Sequence, residues 1–290
     1  MAISYQTRPA AMPAETGGMR VKLLQKTWEP PRKPKMHTLV TAEILLTDTL
    51  TLDLRMGQAV PYSFFVNWGD GTVPESFETG GSGIYLCGDF AAAHTWPAAG
   101  RYTVTITSDD PDCVLNLGWT PYLLTGSNEN EYPIWRIDGQ DVRGYYTFLG
   151  DETGVNSPIT KLEINCGGAM INYYSFYHCA RMTELSLRRL VDPQDAAWRS
   201  YIRNGAFQGT AIRSVEFPAT ADYVQGHTFD GCTELASITF SNTLKRIYYY
   251  AFAGCTSLTD VYFRGTPEQW AAVTIGEGNG PLQAATVHYI

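Results

Sequence analysis

Two segments, FDGCTELASITF at residues 229–240 and FAGCTSLTDVYF at residues 252–263, share one pattern and decide the fold. In each, a phenylalanine is followed by a cysteine three residues later and by apolar residues six, nine and eleven residues later. A third copy begins at Phe176 with the same offsets, and a fourth begins at Phe207 but is one residue shorter after its turn. Five residues before each phenylalanine stands a β-branched apolar residue: Ile171, Ile202, Val224 and Ile247. Residues 172–263 therefore form a repeat.

Such a period, 22 or 23 residues with one step of 31, is typical of a solenoid. Each unit is too small to bury its apolar side alone, so neighbouring units stack and share one core. The alternation of Ile238, Thr239 and Phe240 predicts a strand in each unit, and stacked units should align these strands as a parallel ladder. The repeat cysteines are predicted to be small buried core residues rather than redox or metal-binding groups. They are Cys179, Cys232 and Cys255, with Thr210 in the fourth place.

The segments GAFQGTAIRSVEFP, HTFDGCTELASITF and YAFAGCTSLTDVYF resemble the BspA-type leucine-rich repeat family of bacterial surface proteins. The tail VYFRGTPEQWAAVTIGEGNGPLQAATVHYI is similar to the closing segment of that family, which implies that Trp270 helps to cap the last repeat. The resemblance covers residues 159–290. It departs from the family in the first copy, where Ser175 precedes the phenylalanine, His178 replaces the turn glycine and an insertion occupies residues 189–200.

Residues 38–110 alternate apolar and polar residues between glycine turns, which predicts antiparallel strands and hairpins. The motifs VNWGDGT and HTWPAAGRYTVTI resemble those of the polycystic-kidney-disease (PKD) type of immunoglobulin-like β-sandwich, with Trp96 in place of the usual tyrosine. This resemblance implies a rigid spacer or a binding module, and the fold alone does not decide between them.

The sequence therefore predicts a mainly β chain, with an immunoglobulin-like β-sandwich followed by a leucine-rich-repeat solenoid. We expect four parts: an extended basic arm at residues 1–37, a PKD-like sandwich at 38–110, an ordered connector at 111–158 and the solenoid at 159–290. The connector should cap the open end of the solenoid, because terminal repeats need a cover. Ile159–Ile164 has the strand pattern of a first, degenerate repeat.

The charge of the chain is unevenly distributed. Hydrophobic residues make up 44% and charged residues 17%, as in a folded protein, and the net charge of −8 disfavours nucleic-acid binding. Residues 1–37 carry +5, which leaves −13 for the rest, and five prolines favour an extended conformation. This arm is either a disordered tail or a segment that docks on another subunit. Its docking residues would be Arg8, Arg20, Lys22, Arg32, Lys33 and Lys35.

The first residues, MAISYQTRPAAMPAETGG, lack the apolar stretch of a secretory signal, and we expect none. No stretch is long and apolar enough for a membrane span. Of the six cysteines, three belong to the repeat and Cys166 lies just before it, so Cys87 and Cys113 are the pair that could form a disulfide.

We find no sequence motif of an enzyme and expect no cofactor and no catalytic residue. The five histidines are dispersed, and His94 belongs to the PKD-like motif, where a structural hydrogen bond is expected. Asp109, Asp110 and Asp112 have the oxygen ligands that calcium prefers, but a solvated loop end is the favoured interpretation, so no metal is expected.

The remaining function class is recognition of a partner through an exposed surface of the protein. The polar residues between the apolar ones of each predicted strand should face outward together and form a ligand surface. They are Glu163, Ser186, Glu216, Thr239 and Tyr262. A second candidate surface is aromatic, with Tyr248 and Tyr249 at its centre and Tyr173, Tyr174 and Tyr250 beside them.

The leading hypothesis is a non-enzymatic recognition or structural protein on a phage or prophage particle, as a capsid decoration or tail appendage. Release by lysis would bring a surface module without a secretory signal out of the cell. Its partners would be a protein or glycan on a cell surface and, through the arm, other particle subunits, so we expect an oligomer or part of a larger assembly. The alternatives are a bacterial cell-surface adhesin and an intracellular scaffold.

Overall fold

The computed structural model describes residues 36–47, 51–58, 63–78, 90–109, 114–117, 149–150, 157–165, 168–171, 173–187 and 202–290. Within it, Lys35–Ile290 is one compact unit. The predicted docking residues Arg8, Arg20, Lys22, Arg32, Lys33 and Lys35 lie outside the described residues. The same is true of Cys87, Cys113, Asp110 and Asp112.

The N-terminal half is built from two β-sheets. Its strands are β1 (His37–Leu46), β2 (Thr51–Gln58), β3 (Ser63–Asn67), β4 (Glu75–Glu78), β5 (Phe90–Thr95), β6 (Gly100–Ser108), β7 (Val114–Leu117) and β8 (Leu149–Gly150). One sheet has the antiparallel order β1-β6-β3-β4, and in the other β2 pairs with β5, β7 and β8. The alternation read from the sequence is visible in β6, where Val104 and Ile106 are buried between exposed or half-buried neighbours.

Two tryptophans join the two sheets of this sandwich. Trp68, just after β3, and Trp96, just after β5, are completely buried and meet edge to face at 5.7 Å. Trp96 Nε1 donates to the carbonyl oxygen of Trp68, which satisfies the one polar atom of the indole ring. His94 on β5 stacks on Trp68, with the ring centroids 4.6 Å apart. The sequence motifs at residues 66–72 and 94–106 therefore meet in the core.

The C-terminal half is a solenoid of stacked repeats, which we call rungs. Its elements are β9 (Ile159–Ile164), β10 (Gly168–Ile171), β11 (Glu184–Ser186), β12 (Ser214–Glu216), β13 (Tyr223–Val224), β14 (Ser237–Ser241), β15 (Arg246–Ile247), β16 (Asp260–Arg264), α1 (Pro267–Ala271), β17 (Thr274–Ile275), α2 (Gly280–Ala284) and β18 (Thr286–Tyr289). The order β12-β14-β16-β18 forms one parallel sheet and β13-β15-β17 another. The predicted parallel ladder is confirmed.

Sandwich and solenoid are continuous. β9 pairs in parallel with β11, as expected for a first rung, and antiparallel with β1 of the sandwich. On the other side β10 pairs in parallel with β7, and Ser175 donates to the carbonyl oxygen of Leu117. The sequence predicted the connector as the cap of the solenoid. Among the described residues, β7 of the connector and β1 of the sandwich pair with the first strands of the solenoid, and one hydrophobic core extends from Leu39 to Leu282.

Each rung contributes one phenylalanine to a stack in the core. Phe176, Phe207, Phe229 and Phe252 are completely buried, and successive ring centroids lie 5.4, 5.6 and 5.5 Å apart. The stacking distance follows from the parallel pairing, because hydrogen-bonded strands bring equivalent positions to about 5 Å.

The repeat cysteines are buried core residues, as predicted. The thiol of Cys232 donates to the carbonyl oxygen of Phe207, and that of Cys255 donates to the carbonyl oxygen of Phe229. Burial raises the pKa of Cys232 to about 11 and that of Cys179 to about 12, so both thiols stay protonated at neutral pH. Thr210, at the equivalent position, donates to the carbonyl oxygen of Phe207 in its own rung, whereas the two cysteines bond to the preceding rung, so its buried hydroxyl still has an acceptor.

The last rung is covered by α1 and α2. Thr266 and Gln269 form a capping box at the start of α1, which Pro267 favours as its first residue. Trp270 packs against Phe240 and Phe263, with centroids 6.2 and 5.2 Å away. This is the capping contact that the family resemblance implied. Both helices have five residues, and no described helix is long and apolar enough to cross a membrane.

Candidate functional site

The predicted ladder residues lie opposite one another on neighbouring strands. Glu163 is the register partner of Ser186, and Glu216, Thr239 and Tyr262 are partners along three successive strands. We call these five residues the ladder face. It has two segments, because β11 and β12 belong to different sheets. Near their boundary, the Arg213 amide donates to the carbonyl oxygen of Thr183 at 3.4 Å. The sequence predicted that these residues form one surface together, and the insertion at residues 189–200 lies outside the described residues.

Carboxylates surround one lysine at the first segment of the ladder face. Lys161 Nζ lies 3.1 Å from Glu163, 3.7 Å from Glu43 and 3.8 Å from Glu184. The bond and charge of Glu163, with the charges of Glu43 and Glu184, raise the pKa of Lys161. Glu43 comes from β1, so the sandwich extends this charged surface beyond the solenoid, which the sequence did not indicate.

The second segment is held by an ion pair that crosses it. Arg264 donates to Glu216 at 2.8 Å, although the two residues lie on strands separated by β14. At the far end, His288 on β18 is the register partner of Tyr262, and the two rings stack with centroids 4.9 Å apart. His288 Nε2 also lies 2.7 Å from Asp260. Sequence reasoning missed His288 and β18, although the alternation of TVHYI was a signal for a strand.

The aromatic residues lie at a different edge of the rungs, next to the core phenylalanines. Each rung has a left-handed residue two positions before its phenylalanine, and these residues are Tyr174, Gly205, His227 and Tyr250. A second left-handed residue follows each phenylalanine by two positions, and these are His178, Gly209, Gly231 and Gly254. Glycine adopts this conformation freely, whereas tyrosine and histidine adopt it at a cost of about 1–2 kcal/mol per residue.

Tyr249 lies across the edges of several rungs. A Cβ atom placed on Gly226 would lie 3.0 Å from its ring, so the ring covers that glycine. Its hydroxyl accepts from Asn204 Nδ2, 45 residues earlier in the chain, at 3.4 Å. His227 meets the ring of Tyr249 edge to face at 5.5 Å and stacks on Tyr250 at 5.4 Å. About 39% of Tyr249 and 41% of Tyr250 remain exposed.

Tyr174 and Tyr177 continue this surface on the first rung. Their rings meet edge to face at 5.6 Å, and the ring of Tyr174 fills the space of a side chain at Gly205. Burial, with the nearby Tyr177, Tyr249 and Asp230, raises the pKa of Tyr174. Tyr174 and Tyr249, which are 75 positions apart in the sequence, are thus close enough to interact electrostatically. We call the set Tyr174, Tyr177, His227, Tyr249 and Tyr250 the aromatic cluster.

Tyr248 does not belong to the aromatic cluster, although the sequence placed it beside Tyr249. Its ring contacts Tyr223 of the preceding rung at 6.2 Å, and the guanidinium of Arg246 lies 5.6 Å above it. Tyr248 directly follows β15, whereas Tyr249 already lies in the next turn, so the two side chains contact different residues. Tyr173 also makes a cation–π contact, with Arg203 at 5.6 Å.

Polar side chains accompany the aromatic cluster. Asp230 accepts from Gln208 Nε2 at 3.2 Å, and its Oδ2 lies 2.9 Å from His227 Nδ1. Because a carboxylate only accepts, the imidazole nitrogen at this contact carries the proton. Gln208 Oε1 is enclosed and has no hydrogen-bond partner within the described part of the chain.

His94 has the structural surroundings expected from the sequence. Its Nε2 lies 2.8 Å from Asp70 Oδ2, and Thr72 donates to the other carboxylate oxygen through its amide and its hydroxyl. Burial alone would raise the pKa of Asp70, but the bonds from Thr72 and His94 outweigh it and lower that pKa to about 2. Within the described ranges, no three His, Cys, Asp or Glu side chains come together as a metal site requires.

Comparison with known proteins supports the repeat assignment. Residues 200–271 match the family described as BspA type leucine rich repeat region (6 copies). A solved structure of a leucine rich cell surface protein from Faecalibacterium prausnitzii A2-165 is 19% identical over 38% of this chain, with a TM-score of 0.31. The alignment covers 26% of that protein, so this chain matches about a quarter of its length. The comparison with curated proteins found no significant match.

The BspA-type resemblance is thus confirmed for residues 200–271, within the predicted solenoid at residues 159–290. The PKD-type resemblance of residues 38–110 is not confirmed by these comparisons and stays a prediction.

Proposed function

We propose that this protein is a non-enzymatic recognition protein that is displayed at a surface and binds its partner through the solenoid. The observation that carries the proposal is the register of the ladder face, where Glu216, Thr239 and Tyr262 lie on successive hydrogen-bonded strands. Side chains on paired strands keep fixed spacings, so a partner meets an ordered surface and little entropy is lost on binding.

The chemistry of the ladder face suits a protein or glycan partner. It offers carboxylates, hydroxyls and one tyrosine, and the ion pair of Glu216 with Arg264 holds two charged groups in place. A tyrosine provides rigid contact area with a polar tip, and this residue type is frequent at binding surfaces.

Two locations are proposed for this binding activity. The match of residues 200–271 to a BspA-type repeat region supports a bacterial cell-surface adhesin. The net charge of +5 on residues 1–37 supports the second candidate, a decoration or tail appendage of a phage particle, because a basic arm can dock on an acidic assembly.

Fractionation of the producing culture separates the two locations. Labelling of the protein on intact cells by a membrane-impermeant biotin reagent is expected for an adhesin. Co-sedimentation with capsid or tail proteins at fixed stoichiometry, lost on deletion of residues 1–35, is expected for a particle component. Recovery of the protein in the cytosolic fraction alone would contradict both.

The ladder face is tested by the substitution Thr239→Arg, which places a bulky charge at its centre. We expect binding of the purified full chain to a panel of intact epithelial and bacterial cells, measured by flow cytometry, to fall at least tenfold. Glu268→Ala on α1 is the control, because Glu268 is exposed and lies outside the face. Unchanged binding by a folded Thr239→Arg variant would exclude this face.

A further inference from the structure

We propose that the aromatic cluster is a second binding site, separate from the ladder face, and that its ligand is a neutral oligosaccharide. The inference extends the proposed function and rests on it only in assigning recognition to the solenoid. It does not require the ladder face to bind anything.

The first argument is the backbone conformation. The four non-glycine residues with positive φ in the described ranges are Tyr174, His178, His227 and Tyr250, with φ between 53° and 56°. Equivalent positions of other rungs hold glycine, such as Gly205 and Gly254, so the fold does not need an aromatic side chain there. Strained residues of this kind cluster at functional sites. The backbone conformation alone therefore does not account for the aromatic side chains of Tyr174, His227 and Tyr250, which lie beside Tyr249.

Some rings of the aromatic cluster pack on glycines of neighbouring rungs, and the exposed parts of Tyr249 and Tyr250 form a surface on which a ligand can stack. The ring of Tyr174 covers Gly205, and that of Tyr250 covers Gly278, which shields backbone from water. Tyr249 covers Gly226 in the same way but keeps about 39% of its surface exposed, next to the exposed part of Tyr250. The face of an aromatic ring is electron-rich and attracts the polarised C–H groups on the apolar side of a pyranose ring.

The polar rim matches the hydroxyl groups of a sugar. Asn204 lies at the hydroxyl of Tyr249, and Asp230 and Gln208 are hydrogen-bonded to each other beside His227. A planar amide donates through its nitrogen and accepts through its oxygen, and a carboxylate accepts through two oxygens, so together they can pair with vicinal sugar hydroxyls.

The negative charge of Asp230 favours a neutral sugar over an acidic one. Asp230 is the carboxylate of this rim, and it already accepts hydrogen bonds from Gln208 and faces His227. An acidic sugar would place a second negative charge beside it. A flat exposed ring with a rim of hydrogen-bonding groups also suits a sugar better than an extended peptide, which needs a free strand edge or an apolar groove.

The experiment measures binding of the purified full chain to an immobilised panel of neutral oligosaccharides built from glucose, galactose, N-acetylglucosamine and N-acetylgalactosamine. At least one member should bind with a dissociation constant in the millimolar range or tighter, and Tyr249→Ala should weaken it at least tenfold. Tyr249→Phe keeps the ring and loses only the bond to Asn204, so a loss of about threefold or less is expected. Tyr289→Ala is the control, because Tyr289 is a 43% exposed tyrosine outside the cluster.

Asn204→Ala provides a second variant that leaves the rings in place, and it should weaken binding about three- to tenfold. Absence of binding to every member of the panel overturns the inference, as does equal binding by Tyr249→Ala and the wild type. Cell binding that is lost in Thr239→Arg, together with panel binding that is equal in Tyr249→Ala and the wild type, would support the proposed function and reject the oligosaccharide site.

Discussion

Gly69 and Gly71 stand in the same turn and both have positive φ, but their surroundings differ. A Cβ atom on Gly69 would lie 2.4 Å from the carbonyl oxygen of Thr103, whereas one on Gly71 would meet nothing within 4 Å. Gly71→Ala therefore introduces only backbone strain, about 1 kcal/mol. Gly69→Ala must also displace the backbone of β6.

We expect Gly69→Ala to lower the free energy of unfolding by at least about 2 kcal/mol, and Gly71→Ala by about half of that or less. Denaturant unfolding followed by fluorescence of the buried tryptophans compares the two directly. Equal losses would mean that the turn can move away from Thr103 without penalty.

Asp70 links this turn to His94. Its pKa is lowered from 3.8 to about 2 in the folded protein, so the ionised carboxylate stabilises the fold. This contribution is complete above about pH 4 and is lost as the pH falls through 2. Asp70→Asn should cost about 1–2 kcal/mol at pH 7, because a weaker acceptor replaces the carboxylate.

The pH dependence separates this cause from a general loss of packing. The difference in unfolding free energy between wild type and Asp70→Asn should shrink as the pH falls from 4 towards 2. A difference that stays constant over that range would show that the charge of Asp70 contributes nothing.

At the scale of the single rung, the inward phenylalanine is more important for stability than the outward tyrosine. Phe229 is completely buried between Phe207 and Phe252, whereas Tyr262 is half-buried on the ladder face and stacks on His288. Phe229→Ala removes a ring from a close-packed interior and should cost about 3–5 kcal/mol. Tyr262→Ala should cost about 1 kcal/mol or less.

Urea unfolding of both variants, with the slope compared to that of the wild type, measures the contrast. A loss of less than about 2 kcal/mol in Phe229→Ala would mean that the rungs on either side close the cavity, which the ring spacing of 5.5 Å and 5.6 Å does not suggest.

At the scale of the whole molecule, the junction of sandwich and solenoid decides how the chain unfolds. β1 pairs with β9 over five register positions, Thr160 donates to the carbonyl oxygen of Glu43, and Arg181 donates to that of Leu45. Because the two halves share these bonds and one core, separating them exposes an unpaired strand edge on each.

We expect the full chain to unfold in one cooperative transition and the isolated fragment of residues 158–290 to be less stable by several kcal/mol or to self-associate. Calorimetry of both, with analytical ultracentrifugation of the fragment, measures this. Two separate transitions in the full chain, one of them equal to that of the fragment, would show that the halves are independent.

The sequence alone determined the repeat, its register and its core. The offsets from Phe229 and Phe252 were sufficient, because stacked parallel strands bring equivalent residues together, and the pairing of Thr239 with Tyr262 follows from local periodicity. The burial of Cys232 was predictable for the same reason, whereas the capping position of Trp270 was implied by the family resemblance.

Only the tertiary structure decided which distant residues share a surface. Tyr249 and Asn204 belong to different rungs, and stacking of the rungs brings them together. The neighbouring Tyr248 contacts Tyr223 instead. The pairing of β9 with β1 joins residues more than a hundred positions apart. Such contacts depend on how whole elements pack, and no local pattern of apolar and polar residues specifies that.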